Sequence, residues 1–248
     1  MSEEAQRNRS HWDAESDAYQ AAHGEQLARH PMAWGVWSIP EESLRVLADV
    51  QGKDVLEFGC GAAQWSIALA KLGARCVALD NSERQLYHAC ANMTQARVDF
   101  PLIHANAEDV PLPSESFDIV FCDHGAMSFA APERTVPEAA RLLRRGGLLA
   151  FSSETPLHFI CWNKNTDRVE DTLRANYFEQ NQSDDGHSIV FSRPYGAWIA
   201  LFRQNGLAIE DLIEIRPPQN AESSYDTYVT YEWARQWPAE HIWRVRKS

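Results

Sequence analysis

The chain has 248 residues, 44% of them hydrophobic, so we expect a sizeable buried core, and the composition disfavours wholesale disorder. Thirty-five acidic against 23 basic residues give a net charge of -12, which disfavours nucleic acid as a partner. No apolar run reaches the ~20 residues that span a bilayer, so no membrane partner is expected. The five cysteines form no CxxC pair, which is typical of reduced thiols in the cytoplasm and predicts no metal site.

The predicted elements follow one another in a regular pattern after a polar, aromatic-rich segment, residues 1–40. A short helix is expected over residues 41–49. Apolar runs then predict strands at 54–58, 74–79, 100–104, 117–122 and 148–152, with helices at 65–72, 83–95 and 135–143 between them. Residues 154–187 read as an insertion of helix and loop after the fifth strand. The remaining predictions are a helix at 194–204, a strand at 207–215, a short helix at 231–236 and a strand at 241–245.

This alternation predicts an α/β fold, a doubly wound, mostly parallel seven-stranded sheet with helices on both faces. No internal repeat and no linker divides the chain. Residues 1–248 are therefore expected to form a single domain.

Two glycines, Gly59 and Gly61, follow the first predicted strand. They let the backbone turn tightly and approach a ligand, and the next helix offers its N-terminal amides, so this turn predicts an adenosine-cofactor site. The dinucleotide fingerprint GxGxxG is incomplete, because Gln64 stands at its last glycine. The Glu57 carboxylate would repel a pyrophosphate but attract the amino group of a methionine tail, which favours S-adenosylmethionine (SAM) over NAD.

The run VLEFGCG at 55–61 resembles motif I of class I, Rossmann-like SAM-dependent methyltransferases, of the small-molecule methyltransferase type 11 kind. Asp80 takes the place of the acidic residue that holds both ribose hydroxyls in that family, although an Asp there is also suited to capping the next helix. Further segments resemble family motifs in the family's order: NAEDVP at 106–111, FDIVF at 117–121 and LLRRGG at 142–147. The resemblance covers about residues 50–155, the predicted SAM-binding core.

The resemblance implies SAM as cofactor, S-adenosylhomocysteine as product and no metal. It also implies a helical N-terminal lid over residues 1–40 and a substrate-side insertion at 154–187. The cofactor contacts it implies are Tyr19, Glu57, Gly59, Cys60, Gly61, Gln64, Trp65, Asp80, Asn81, Asn106, Ala107, Glu108 and Asp123. The chain departs from the family pattern at Asn106, where Asp is common, and at Arg145, where the turn usually has Pro.

The predicted reaction is methyl transfer to an oxygen or nitrogen atom of a small-molecule acceptor. His124, after the fourth strand, and His158, after the fifth, are the candidate general bases, since a neutral imidazole near pH 7 accepts a proton from a hydroxyl or amine. A purely structural role for either histidine is the alternative. Two other functions stay open, a non-catalytic binder of SAM or S-adenosylhomocysteine and an NAD-dependent oxidoreductase. The sequence predicts neither the acceptor's identity nor the oligomeric state.

Overall fold

A seven-stranded sheet forms the framework of the protein. The structure, a computed structural model, describes residues 1–225 and 227–248. The strands are β1 (Asp54–Phe58), β2 (Arg75–Asp80), β3 (Leu102–His104), β4 (Phe117–Asp123), β5 (Leu143–Glu154), β6 (Leu207–Glu214) and β7 (Glu240–Lys247). Their order across the sheet is β6-β7-β5-β4-β1-β2-β3. The neighbours among β1 to β5 are parallel, whereas β7 is antiparallel to both β5 and β6. The predicted doubly wound, mostly parallel sheet is therefore confirmed.

Helices lie on both sides of the sheet. They are α1 (Glu3–Arg29), α2 (Glu41–Leu44), α3 (Gln64–Lys71), α4 (Glu83–Ala96), α5 (Ala126–Phe129), α6 (Pro132–Leu142), α7 (Pro156–Cys161), α8 (Tyr195–Gln204) and α9 (Tyr231–Ala234). Successive strand side chains point to opposite faces. Val55 packs with apolar residues of α3 and α4 in one buried cluster, and Leu56 packs with those of α6 and α8 in a second. Both faces are covered, which is why the parallel strands are almost continuously apolar.

The helix predicted over residues 41–49 is shorter in the structure, since α2 ends at Leu44. The side chain of Glu41 explains this end, because its buried carboxylate accepts the backbone N–H groups of Val46 and Leu47 at 3.2 and 2.7 Å. A side chain that satisfies these amides competes with the helical hydrogen bonds that would otherwise continue the helix. Arg45 accordingly adopts a left-handed conformation.

The fifth strand is longer than predicted. It begins at Leu143 and includes Gly146 and Gly147, where the sequence predicted only the end of the preceding helix. The pairing register between β4 and β5 shifts near the start of both strands, between Phe117 and Ile119 of β4. Glycines are common in strands at such irregularities. Helix α6 starts earlier than predicted because Pro132 occupies its first turn, a position that suits proline.

The predicted insertion contains more strand than expected. Besides α7 and a 3-10 turn at Tyr177–Glu179, it holds the hairpin of Trp162–Asn163 with Arg168–Val169. A second hairpin pairs Gln182–Asp184 of the insertion with Ile189–Phe191, which follow it in the chain. In the part of the chain that the structure describes, no helix combines the length and the apolarity needed to cross a membrane.

Candidate active site

A cavity of about 590 Å³ opens at the carboxyl ends of β1, β2 and β4. The strand order reverses between β1 and β4, and doubly wound sheets bind ligands in the crevice at such a point. Residues of α1 form part of the cavity wall. The structure brings all but two of the predicted site residues to this wall: Tyr19, Glu57, Gly59, Cys60, Gly61, Gln64, Trp65, Asp80, Asn81, Asn106, Ala107, Asp123 and His124.

The turns that follow β1 and β4 pack backbone against backbone beside the cavity. A Cβ atom on Gly59 would lie 2.5 Å from the backbone nitrogen of Ala126, and one on Gly125 would lie 2.5 Å from the Gly59 oxygen. Gly61 is required for a different reason, since its φ of +51° lies in the left-handed region. That conformation aims its N–H at the Asp80 carboxylate, 2.8 Å away.

Asp80 connects the β1 turn to the start of α4. Its carboxylate accepts the N–H groups of Gly61 and Ser82, both at 2.8 Å. The alternative in which Asp80 caps the helix is wrong, because the N-cap of α4 is Ser82, whose hydroxyl accepts the Gln85 N–H at 3.1 Å. Asp80 is thereby fixed at the cavity wall, and its ribose contact stays a prediction.

Three carboxyl groups, those of Glu57, Asp80 and Asp123, face the same cavity. Burial raises the pKa of Glu57 to about 8, although hydrogen bonds from the Ser66 N–H and hydroxyl favour the charged form. Burial also raises the pKa of Asp80 and of Asp123. A ligand with a cationic group and hydroxyl donors relieves this crowding of acids, whereas a pyrophosphate increases it. The cavity therefore fits the amino group and ribose hydroxyls of SAM better than a dinucleotide.

Helix α1 covers the cavity through polar contacts. The hydroxyls of Tyr19 and Tyr225 lie 2.7 Å apart, and the Asn81 side-chain amide donates to the Ala5 carbonyl at 2.9 Å. Burial raises the pKa of Tyr19 to about 12, so this hydroxyl stays protonated at neutral pH. Of the α1 residues, only Ala5, Asn8 and Ser16 are buried. The helix is thus held over the cavity mainly by hydrogen bonds and not by an apolar stripe.

Two predicted site residues do not reach the cavity wall. The Glu108 carboxylate accepts the Ser2 hydroxyl at 3.0 Å and the Ala131 N–H at 3.4 Å, so it connects the N-terminus of α1 to the loop before α6. His158 is 1% exposed, and its Nε2 lies 3.2 Å from the Tyr228 carbonyl oxygen. The structure places His158 behind the cavity wall, and its role as a general base stays a prediction.

His124 lines the cavity and pairs with a second buried residue. Its Nε2 lies 2.5 Å from Oε1 of Glu240, which is fully buried. Burial opposes protonation of the imidazole, but the hydrogen bond and charge of Glu240 outweigh it and raise the pKa of His124 to about 9. The sequence predicted a neutral imidazole at pH 7. In the structure His124 is instead mostly protonated at pH 7 and becomes an available base only toward pH 9.

Four residues that shape this site were absent from the sequence predictions: Gly35, Gly125, Tyr228 and Glu240. Gly125 had a local signal, because a glycine directly after a strand that ends at the cavity is suited to close backbone approach. The other three had none, since they join the site only through the tertiary fold. Gly35 lies so near Glu240 that a Cβ atom on it would be 2.6 Å from Oε1 of that carboxylate.

Comparisons with known proteins find similarity at the level of family, sequence and fold. Residues 56–151 match the profile of the protein family described as "Methyltransferase domain". The predicted resemblance to class I SAM-dependent methyltransferases of the type 11 kind is therefore confirmed for this region. The demethylmenaquinone methyltransferase of Clavibacter sepedonicus is 34% identical over 108 residues, 43% of this chain and 43% of that protein. The enzyme of that name from Listeria monocytogenes serotype 4a is 33% identical over 114 residues, 44% of this chain and 48% of that protein.

The chain thus spans about half the length of these relatives. Solved structures share the fold over most of the chain. A SAM-dependent methyltransferase from Mesorhizobium loti has a TM-score of 0.67 at 20% identity, covering 83% of this chain and 96% of that one. The 1,6-didemethyltoxoflavin-N1-methyltransferase of Burkholderia thailandensis, with bound 1,6-didemethyltoxoflavin and S-adenosylhomocysteine, has a TM-score of 0.62 at 13% identity. That match covers 98% of this chain and 88% of the other.

Proposed function

We propose that this protein is a SAM-dependent methyltransferase that transfers a methyl group to oxygen or nitrogen of a small-molecule acceptor. One observation carries the proposal: the carboxyl groups of Glu57, Asp80 and Asp123 converge on one cavity beside a glycine turn. A ligand with an amino group and paired hydroxyls matches that arrangement. The methyltransferase-domain match over residues 56–151 supports the same function.

Different residues along the cavity would bind different parts of SAM. Asp80 would accept hydrogen bonds from the ribose hydroxyls, and Asn106 would contact the adenine edge. Glu57 and Asp123 would face the amino group of the methionine part, whose charge favours their ionised forms. Bound SAM supplies a methyl carbon already activated by the sulfonium charge. The protein's contribution is then to position the acceptor in line with that carbon and to exclude water.

The segments outside the SAM-binding core complete the proposed site within a single domain, residues 1–248. Residues 1–40 would act as the lid, because α1 contributes Tyr19 and Gln20 to the cavity wall. The insertion 154–187 would lie on the acceptor side, to which it contributes Glu154 and Asp185.

Isothermal titration calorimetry tests cofactor binding. We expect wild-type protein to bind SAM and Asp80→Asn to bind it at least tenfold more weakly, because the variant loses the charge and one acceptor at the ribose position. The matched control is Asp109→Asn, at an exposed carboxylate that does not line the cavity, and it should bind like wild type. Equal affinity of all three proteins for SAM would contradict the assignment.

Two further measurements separate the other functions. A fluorescence titration with NADH should detect no binding, and saturable binding would favour the oxidoreductase instead. Formation of S-adenosylhomocysteine should rise above the acceptor-free background with a panel of small hydroxyl and amine compounds. A protein that binds SAM tightly but shows no turnover with any of them would be the non-catalytic binder.

A further inference from the structure

A polar cluster lies on the side of the cavity formed by β4, β5 and β7. The Nε2 atom of His124 forms a hydrogen bond with Glu240, whereas its Nδ1 atom has no hydrogen-bond partner among the described residues. The Tyr228 hydroxyl is buried and likewise lacks a hydrogen-bond partner within residues 1–225 and 227–248. Both side chains line the cavity. Buried polar atoms are almost always paired, so the unpaired Tyr228 hydroxyl indicates a polar ligand atom that completes the site. The ring centroid of Tyr228 lies 6.0 Å from that of His124, so the same ligand atom can reach the imidazole.

Glu240 holds the imidazole in one orientation. Its Oε1 accepts the Val36 N–H at 2.9 Å as well as the bond from His124 at 2.5 Å. The missing side chain of Gly35 provides the space for this carboxylate. With Nε2–H donating to Glu240, the lone pair of Nδ1 is left for a ligand once the second proton is lost.

The backbone supports the same arrangement. His124 has a φ of +50°, in the left-handed region of backbone conformation that residues other than glycine rarely adopt. Its N–H donates to the Ser152 hydroxyl at 3.0 Å. Strained residues of this kind persist where the surrounding structure fixes them, and they are common at functional sites.

Resting on the methyl transfer proposed above, we propose that the acceptor carries a weakly acidic hydroxyl, phenolic or enolic, that binds between His124 and the Tyr228 hydroxyl. Glu240 is a positioning residue. As the reaction proceeds, the O–H bond breaks and its proton passes to Nδ1 of His124. The oxygen's electron pair forms the new bond to the methyl carbon, and the carbon–sulfur bond breaks with its electrons on sulfur. The products are a methyl ether and a neutral thioether, and the imidazolium then releases its proton to water.

The chemistry of the pair selects this acceptor class. A neutral amine attacks with a free lone pair and needs no base, whereas a hydroxyl must lose its proton. The groups that face the imidazole are Asp123 on β4, Glu154 at the end of β5, Glu240 and His241 on β7, and Tyr228. The acids among them make His124 a stronger base than free histidine, and its pKa of about 9 lies near the ~10 of a phenol. The hydroxyl of a simple alcohol is too weak an acid for this transfer.

Proton NMR tests the positioning role without turnover. We expect the His124 ring resonance, assigned by its loss in His124→Asn, to titrate near pH 9 in wild type. In Glu240→Gln the midpoint should fall by at least one pH unit, because the negative charge is removed while the hydrogen bond can remain. The control Glu210→Gln, on β6 and paired with Arg246, should leave the midpoint unchanged. An unchanged midpoint in Glu240→Gln would overturn the proposed pairing.

Probe acceptors test the substrate class. With SAM present, phenol and 4-nitrophenol should be methylated, whereas cyclohexanol and aniline should not. We expect kcat/KM for phenol to rise about tenfold per pH unit and level off near pH 9, and in Glu240→Gln to level off at lower pH. Tyr228→Phe should lower kcat/KM at least fivefold, and the exposed control Tyr87→Phe should not. Methylation of aniline without phenol, or variants indistinguishable from wild type, would overturn the inference.

Binding of S-adenosylhomocysteine, measured by calorimetry, separates the two proposals. All the variants should retain it, which also verifies that they fold. If wild type fails to bind the cofactor product, the proposed function fails. A second outcome is that wild type binds S-adenosylhomocysteine but methylates neither phenol nor 4-nitrophenol, and that the absorbance spectrum of 4-nitrophenol does not change when it is added to the complex. The proposed acceptor class would then be wrong, whereas the cofactor assignment would stand.

Discussion

The two halves of the cavity are built in different ways. The cofactor half, formed by Glu57, Gly59, Gly61 and Asp80, comes from one continuous stretch in which β1 and β2 are joined by α3. The acceptor half, formed by Gly35, His124, Tyr228 and Glu240, comes from distant parts of the chain. Glu240 reaches His124 only because the antiparallel strand β7 lies next to β5, with Glu240 opposite Glu154. A change of one residue in that register would turn the carboxylate to the opposite face.

A local motif is sufficient to build the cofactor half but not the acceptor half. In the cofactor half, backbone conformation and strand ends place the polar groups, so the pattern of residues already implies the geometry. In the acceptor half, each contact depends on strand order and on loops that cross the sheet edge. Substitutions at the junction of the halves should therefore affect both, and substitutions within one half should leave the other intact.

Gly125→Ala should have the largest effect, because Gly125 lies where the two halves meet. The new Cβ atom would be 2.5 Å from the Gly59 oxygen and 2.6 Å from the Phe58 oxygen, and no flexible side chain can move aside. We expect the free energy of unfolding, measured with urea, to fall by about 3 kcal/mol or more. Cofactor binding and acceptor turnover should be lost together.

Gly196→Ala is the matched control for this substitution. Gly196 lies in α8 with open space around its Cβ position, so alanine should stabilise the protein by about 0.5–1 kcal/mol. If Gly125→Ala unfolds like wild type and binds SAM normally, the backbone contact between the two turns does not support the site.

The sequence predicted the sheet, its seven strands and most of the cofactor half, because apolar runs and the glycine turn are local signals. It did not predict the end of α2, since the competing Glu41 carboxylate acts only once it is buried. It also placed His158 among the site residues, although this side chain is buried and does not line the cavity. The sequence also could not predict the pairing of His124 with Glu240, because Glu240 lies in a strand whose neighbours in the sheet one sequence does not reveal.

Glu57→Gln tests the cofactor half through pH. The pKa of Glu57 is raised to about 8 in the folded protein, against an ordinary value of 4.5. As pH rises from about 4.5 toward 8, the unfolded chain loses this proton first, so the free energy of unfolding should fall by up to ~1.4 kcal/mol per pH unit. The stabilisation is fully present below pH 4.5 and is lost as pH passes through 8. Glutamine cannot ionise, so urea titrations of the variant should show a shallower slope.

The control for these slopes is a variant that removes a different carboxylate from the same protein. Asp109→Asn, at an exposed site, should keep the wild-type slope between pH 5 and 8, a range set by the folded and unfolded values of Glu57. Identical slopes for Glu57→Gln and wild type would contradict burial as the cause. Turnover of phenol by Glu57→Gln at saturating SAM should follow the wild-type pH profile, because His124 lies in the other half.

Tyr19→Phe should have the smallest effect, and it asks whether the lid serves one half or both. The substitution removes the 2.7 Å hydrogen bond to Tyr225 and keeps the ring, which packs against Trp12 and His23. A single hydrogen bond contributes about 1 kcal/mol, so SAM affinity measured by calorimetry should fall about fivefold. Tyr225 and Tyr228 both lie between β6 and α9 in the chain, so if the lid positions these two residues, the substitution should also raise KM for the acceptor. A fall in SAM affinity with unchanged acceptor KM would mean that α1 belongs to the cofactor half alone.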